Sequence, residues 1–287
     1  MNSPKNLDNL VDDIYKTLDG LSAGEELGIS DDIINDFGER MKAALTHWSQ
    51  PYKQSKGLRM SNIGKPARQL WYESRRDLDE PATIKAHMHI KFLYGHLLEE
   101  VLLLLVKLSG HEVTDEQKEV EVDGIKGHMD CKIDGEVIDI KTASNFAFKK
   151  FSEGTLSVDD PFGYMAQLSG YEAAEGTSEG GFLAINKESG ELALLRPGDL
   201  SKPNINRRIE QLKEIMTVDT PPEKCYDPVP EGKRGNMKLA SSCTYCPFKH
   251  DCWADANNGQ GLRTFQYSNG LKHFTKVVSL PRVQEVF

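Results

Sequence analysis

Residues 112–142 leave this chain few choices of fold. Their side chains alternate apolar and polar, and Asp-Gly cuts the alternation twice, at 123–124 and 134–135. Alternation with period two belongs to a half-buried strand. Asp-Gly is the dipeptide of a two-residue hairpin turn, whose two central residues both take positive φ. Three antiparallel strands are predicted, over about 117–122, 125–133 and 136–141. A two-residue turn at Asp134-Gly135 also fixes register. It sets Ile133 against Glu136, Cys131 against Ile138, Met129 against Ile140, Asp130 against Asp139 and His128 against Lys141. Because side chains alternate, Met129, Cys131, Ile133, Ile138 and Ile140 share an apolar face. His128, Asp130, Asp139 and Lys141 share the other, with Lys132 and Val137 beyond them.

That register places two carboxylates directly across from each other. Two anions about 5 Å apart repel by roughly 3 kcal/mol at an effective dielectric of 20. A divalent cation between them would turn the repulsion into attraction. Lys141 lies beside the pair, two residues past Asp139. A carboxylate pair with an adjacent ammonium suits metal-assisted phosphodiester hydrolysis: the metal lowers the pKa of a water, and the lysine steadies the nucleophile or the developing charge. The competing reading is a solvated hairpin in which Lys141 simply pairs with Asp139.

The rest of the chain alternates helical and loop signals. "LDNLVDDIYKTL" has helical apolar spacing, and Asp31-Asp32 before "IINDFGERMKAAL" suits a helix start. A helix is predicted over about 84–108, stopped by Gly110, and another over "YMAQLSGYEAAEG", stopped by Gly176. "ARQLWYESRR" and 204–217 read as further helices, and "GGFLAINKESGELALLRP" as a second hairpin. From Pro221 onward the chain is Pro- and Gly-rich and reads as irregular. The domains expected are an acidic helical region over 1–50, a core over 51–218, and an irregular cysteine-containing region over 219–287 packed on that core.

Net charge is −9, but residues 1–40 hold ten Asp and Glu against three Lys and Arg, which leaves −2 for the remainder. A nucleic-acid partner is therefore not excluded. The acidic region would mimic DNA, dock a partner or pack as an ordinary helical layer. The aliphatic run "VLLLLV" at 101–106 falls far short of the roughly 20 residues of a membrane span, and no basic segment precedes an apolar one at the start. A cytoplasmic location is expected, with no membrane partner. The five cysteines would then be reduced and without disulfides.

"YGHLLEE" (94–100), "GHMD" (127–130), "IDIK" (138–141) and "QLSGY" (167–171) occur in that order. The set resembles the PD-(D/E)XK nuclease superfamily, and within it the RecB-type and phage exonuclease branch. That branch shows G-x-x-x-[E/H], G-h-x-D, [D/E]-x-K and Q-x-x-x-Y in sequence. The resemblance implies an α/β restriction-endonuclease-like core, a central mixed sheet flanked by helices. It implies that Glu99, Asp130 and Asp139, with the carbonyl of Ile140, hold Mg²⁺ or Mn²⁺. Lys141 would be the lysine of D-x-K, and Gln167 and Tyr171 would border the site. Read without it, Glu99 is a solvated neighbour of Glu100, and Tyr171 is a core residue four from Gln167 on one helix face. "RMSNIGKPARQLWYESRR" (59–76) resembles an S-x-x-G-x-C-x-R-x-x-W/Y stretch of related nucleases, with Pro66 in the cysteine's place. There Ser61 and Arg68 would bind DNA phosphate and Trp71 would stack on a base; the alternative is that Trp71 anchors a core.

"CTYCPFKHDCW" (243–253) spaces Cys243, Cys246 and Cys252 as C-x₂-C-x₅-C. It resembles the C-terminal tail of the iron–sulfur nucleases of the same superfamily, whose fourth cysteine stands where this chain has Pro66. Cys225 is the expected replacement, with His250 as the alternative. Zn²⁺ or an iron–sulfur cluster would then staple the tail. The resemblance implies a metal-dependent DNA exonuclease, phage-encoded and acting in DNA degradation or recombination in the host cytoplasm. Beyond DNA, a second copy of the chain or a phage recombination protein is the expected partner. A structure-selective endonuclease of the junction-resolvase kind, and a non-catalytic DNA- or partner-binding module, are the alternatives.

Overall fold

The computed structural model describes residues 5–51, 56–76, 84–198 and 201–286. The helices of eight residues or more are, in order, α1 (Leu10–Ser22), α2 (Asp31–Trp48), α3 (Ala67–Arg75), α4 (Ala86–Leu108), α5 (Asn145–Ser152), α6 (Tyr164–Glu175) and α7 (Ile205–Thr217). The strands are β1 (Val113–Thr114), β2 (Glu119–Val122), β3 (Ile125–His128), β4 (Cys131–Ile133), β5 (Glu136–Ala143), β6 (Gly181–Asn186), β7 (Leu192–Leu195), β8 (Val229–Glu231), β9 (Asn236–Lys238), β10 (Arg263–Tyr267), β11 (Gly270–Lys276) and β12 (Glu285–Val286). They form two compact units. The first takes the chain up to Gly64 and the stretch ending at Glu210. The second takes Lys65–Arg76 and the chain from Gln211 on. Among the described residues, no helix is long and apolar enough to cross a membrane.

The first unit is α/β, with a mixed sheet in the order β1-β4-β5-β6-β7. β5 and β6 run parallel and the other pairs antiparallel. Leu10 and Ile14 of α1 and Leu102, Leu103 and Val106 of α4 pack with Ile133, Ile138, Ile140, Leu183 and Ile185. On the other side Phe151 of α5 meets Phe182 edge-on at 5.8 Å, and α6 lies against β5. β5 is therefore covered on both faces, as a central strand beside a parallel neighbour must be. Asp160 sets the start of α6: its carboxylate accepts from the N–H groups of Gly163, Tyr164 and Met165 at 2.9, 3.0 and 2.8 Å. Gly176, at φ 68, ends the helix.

Both Asp-Gly turns form as read, with Asp123, Gly124, Asp134 and Gly135 at φ 50, 79, 50 and 89. The register about 134–135 holds for Ile133↔Glu136, Lys132↔Val137 and Cys131↔Ile138, and there it stops. The single strand expected over 125–133 is two strands. β3 pairs with β2 in a ladder of its own, and Met129 and Asp130 lie in the gap. Backbone bonds to other partners pull the chain off the β5 ladder. Met129 N–H donates to the Lys118 carbonyl (3.1 Å), and Asp130 C=O accepts from Gln117 N–H (2.9 Å). His128 consequently does not face Lys141; it is exposed, with Nε2 3.8 Å from Glu119 Oε2.

The domain boundaries also differ from those expected. The acidic region belongs to the first unit, where α1 is an ordinary helical layer. α2 meets α4 through charge: Lys107 Nζ lies 2.7 Å from Asp36 Oδ2 and 3.2 Å from Glu116 Oε1, and Arg40 pairs with Asp36 and Glu116. α3 joins the second unit. The C-terminal region is not irregular, because it carries a five-stranded antiparallel sheet in the order β12-β10-β11-β9-β8. Three of those strands have only two or three residues, too few for an alternation to be counted.

Gly64 crosses Gly163 so closely that a Cβ on Gly64 would overlap the Gly163 backbone. No rotamer relieves a clash with backbone. Gly64→Ala is expected to lower stability by about 2–4 kcal/mol. Gly28→Ala, where a Cβ meets nothing within 4 Å, is the control expected to change little. Thermal melts of the two variants check this.

Candidate active site

β5 projects Asp139 and Lys141 to the face covered by α6. Asp139 has no solvent exposure, and its Oδ2 pairs with the Lys141 ammonium. Apart from that ammonium, neither carboxylate oxygen of Asp139 meets a donor among the described residues. Lys141 Nζ lies 4.8 Å from the ring centroid of Tyr164 on α6, where the electron-rich face favours a cation. Asp130, in the gap between β3 and β4, turns its Oδ2 to accept the Ile140 N–H at 2.6 Å. The Ile140 side chain belongs to the apolar cluster on the α4 side, so only its backbone faces the carboxylates. Glu99 comes from α4, and its Oε1 accepts from the Gln117 side-chain amide at 2.9 Å. Gln167 Nε2 donates to the Tyr171 hydroxyl at 2.9 Å, and Tyr171 is buried against the same site.

Glu99, Asp130, Asp139 and Lys141 lie close enough to shift one another's protonation. Burial is the largest influence on Glu99; the charges of Glu100 and Asp139 add to it, Lys141 opposes it, and its pKa stands at about 7. Burial and then the Asp139 charge raise Asp130 well above the usual carboxylate range, against Lys141 and the Ile140 N–H. Burial works to lower the Lys141 ammonium, but Asp139 and Asp130 overcome it and leave its pKa above the ordinary lysine value. Burial also raises the Tyr171 hydroxyl, and the Asp139 charge adds to the effect. The site thus holds more carboxylate than its one ammonium matches.

All six residues expected at the catalytic site are in the first unit and belong to this cluster or its α6 wall. Asp139 is turned onto Lys141, and Asp130 onto the Ile140 N–H. As placed, no group of three or more His, Cys, Asp or Glu among the described residues is set to hold a metal ion. The donor set nonetheless suits a hard divalent cation. It is all carboxylate oxygen and carbonyl, with one buried Asp139 oxygen lacking a donor, the other met only by the Lys141 ammonium, and two neighbours that burial pushes towards protonation.

Two residues of the site were not anticipated. Gln117 sits at φ 53, a left-handed backbone unusual for glutamine, and bridges two carboxylate-bearing residues. Its amide side chain holds Glu99 and its N–H holds the Asp130 carbonyl. Nothing in "TDEQKEV" announces a left-handed glutamine. Tyr164 was legible in principle, since 164, 167 and 171 share one helix face.

The residues expected to contact DNA are placed differently. Ser61 is exposed in the first unit. Arg68 and Trp71 are in the second. Arg68 Nε donates to Cys252 Sγ at 3.1 Å, and its Nη1 donates to the Pro222 carbonyl. Trp71 is buried, donates from Nε1 to the Val218 carbonyl at 2.9 Å, and has the Arg75 guanidinium 4.0 Å from its ring centroid. Both side chains are committed to internal contacts, which leaves Trp71 the core anchor that the alternative reading described.

Cys225, Cys243, Cys246 and Cys252 line a single cavity of about 30 Å³ in the second unit. Pro66 lines it too, and Cys225 supplies the fourth thiol. Burial pushes the thiols of Cys225 and Cys246 up and that of Cys243 to about 11, where the three other cysteines add to the effect. His250 does not line the cavity; its ring stands 5.8 Å from that of His273. Cys131 is buried in the first unit's core, with its Sγ towards the Ile138 carbonyl.

No known protein family matches the chain by sequence, and no curated protein does. Among solved structures, the crystal structure of SSO0001 is similar at 20% identity, over 75% of this chain and 94% of that one, with a TM-score of 0.38. A likeness so distant carries no argument about fold or function.

A carboxyl whose pKa is raised on folding takes up a proton as the chain folds, so its contribution to stability falls as pH rises. For Glu99 that fall spans about 4.5 to about 7. In chelator, Glu99→Gln is expected to melt roughly 2–6 °C higher than the parent at pH 8 and at the same temperature near pH 4. Calorimetry at the two pH values checks it, and equal melting at pH 8 would remove the case for a destabilised Glu99.

Proposed function

We propose that this protein is a divalent-metal-dependent deoxyribonuclease with a PD-(D/E)XK-like core, acting on DNA ends. The observation that carries the reading is the buried Asp139–Lys141 pair, with Asp130 and Glu99 beside it. A fully buried carboxylate with one ammonium and no other donor, next to two more carboxylates, is a costly arrangement for a structural core. It is an expected one for a site that takes a cation and a phosphate. Four sequence motifs in the order of the RecB-type nucleases fall on these same residues.

Glu99, Asp130, Asp139 and the Ile140 carbonyl would hold Mg²⁺ or Mn²⁺. Such an ion supplies a water of lowered pKa and a Lewis acid for the phosphoryl oxygen. The chain's own part is positioning and charge. Lys141 stays protonated between Asp139 and the Tyr164 ring, so it can donate to the attacking water or to the phosphate oxygen that gains charge. Gln167 and Tyr171, hydrogen-bonded to each other on α6, would border the site beside Asp139. Gln117 holds Glu99 in place. Asp130→Ala and Lys141→Ala are each expected to lower Mg²⁺-dependent cleavage of end-labelled linear DNA by at least about 10²-fold. Closed circular DNA should stay intact. Parental activity in either variant would refute the site, and nicking of circles would transfer the reading to a structure-selective endonuclease.

The four cysteines of the second unit would hold Zn²⁺ or an iron–sulfur cluster. The convergence of four thiols on one cavity supports the reading, because ligation releases protons and offsets the burial that raises the pKa of Cys225, Cys243 and Cys246. Purified protein is expected to carry stoichiometric zinc or iron, the latter with absorbance near about 400 nm. Removing the metal should unfold the second unit first, as a loss of β-sheet circular dichroism. Metal analysis that finds neither element would end the proposal.

A further inference from the structure

The second unit carries a basic hollow that the proposed reaction does not use. The turn between β8 and β9 passes through Gly232 and Gly235, both at positive φ (69 and 81), and bears Lys233 and Arg234. Asn236, at the foot of this turn, is buried and holds the segment that follows β11. Its Oδ1 accepts from the N–H groups of Val278 and Ser279 at 2.8 and 2.9 Å, and its Nδ2 donates to the Ser279 carbonyl at 2.8 Å. The clamp sets the spacing of turn and segment around a hollow of about 240 Å³, lined also by Tyr267 and Arg282.

Lys233, Arg234 and Arg282 are exposed, and among the described residues no ion pair engages any of them. The carboxylate on this rim, Glu231, is already matched by Lys238 and by Lys272 Nζ at 2.8 Å. Three uncompensated positive charges therefore surround one concavity on a chain whose net charge is −9. Cations scattered over a surface would say little. These are gathered around a hollow whose shape a buried asparagine maintains. Two guanidinium groups and an ammonium match phosphate oxygens by charge; the Tyr267 ring is already engaged by Lys272 Nζ, 4.1 Å from its centroid, and by the stacked Phe274, so charge carries the contact.

We infer that this hollow binds the phosphodiester backbone of DNA, without reading its sequence. The choice of DNA as the polyanion rests on the function proposed above; the binding itself requires no cleavage. The test is fluorescence anisotropy of a labelled single-stranded oligonucleotide with the whole protein in chelator, from about 50 to about 200 mM salt. Lys233→Gln/Arg234→Gln/Arg282→Gln is expected to bind at least about tenfold more weakly, with a log–log salt slope shallower by roughly two. Arg234→Lys/Arg282→Lys, which keeps the charge, should stay near the parent. Hydrolysis of a small nitrophenyl phosphodiester should be unchanged in both variants, which also reports on folding. A triple variant with parental affinity and slope overturns the inference. So does a parent that binds no DNA, or displacement of the strand by inorganic phosphate at equal phosphate concentration. A parent that binds as expected yet never cuts DNA with Mg²⁺ retires the proposed nuclease and leaves the binding site standing.

Discussion

Asp139 is a carboxylate without solvent exposure in the middle of a strand covered on both faces. Desolvating such a charge costs several kcal/mol unless a partner of opposite sign is desolvated with it. Lys141, two residues along on the same face, is that partner, and most of the first unit's polar detail follows from keeping the two together. α6 brings Tyr164 over the ammonium and buries Tyr171 near enough for the Asp139 charge to act on its hydroxyl. Its start is accordingly well anchored, by three N–H groups on Asp160 and by the Gly64–Gly163 crossing that only glycines permit. On the other face of β5 the packing is apolar, through Ile138 and Ile140 against α1 and α4, while α4 also carries Glu99 to the polar site.

The break between β3 and β4 serves the same pair. Had the ladder continued, Asp130 would stand opposite Asp139 as a like-charged neighbour. Instead the chain leaves the ladder at Met129, and Asp130 turns its carboxylate back onto the Ile140 N–H that the ladder has left without a partner. Gln117 ties the departing chain to Glu99 on α4, so the helix and the gap are held by one residue in a left-handed conformation. The second unit depends on other contacts. Its small sheet and its cysteine cavity are joined by few apolar side chains, and Arg68 is spent on Cys252 and the Pro222 carbonyl within it.

Much of this was legible in the sequence. Both Asp-Gly turns, the helix ends at Gly110 and Gly176, and the clustering of Glu99, Asp130, Asp139, Lys141, Gln167 and Tyr171 could be read from alternation, turn chemistry and motif order. The turns and helix ends are local signals, whereas the expectation that these six residues cluster rests on the resemblance in motif order. What could not be read depends on contacts distant in sequence. The end of the β4–β5 ladder is decided by bonds from Gln117 and Lys118. The joining of α3 to the C-terminal unit is decided by Trp71 bonding to the Val218 carbonyl. The C-terminal sheet escaped notice because three of its strands have only two or three residues, too few to show a repeated alternation.

By itself, then, the sequence determined the turns, the face on which each β5 residue falls and the excess of carboxylate around one lysine. It did so because strand alternation and the positive φ of Asp-Gly are properties of the chain next to itself. Only the tertiary structure decided that this polar face is buried rather than solvated, since that depends on whether another element covers it. α6 does, and a charged pair that would be worth little at a surface becomes, under that helix, a desolvated ion pair.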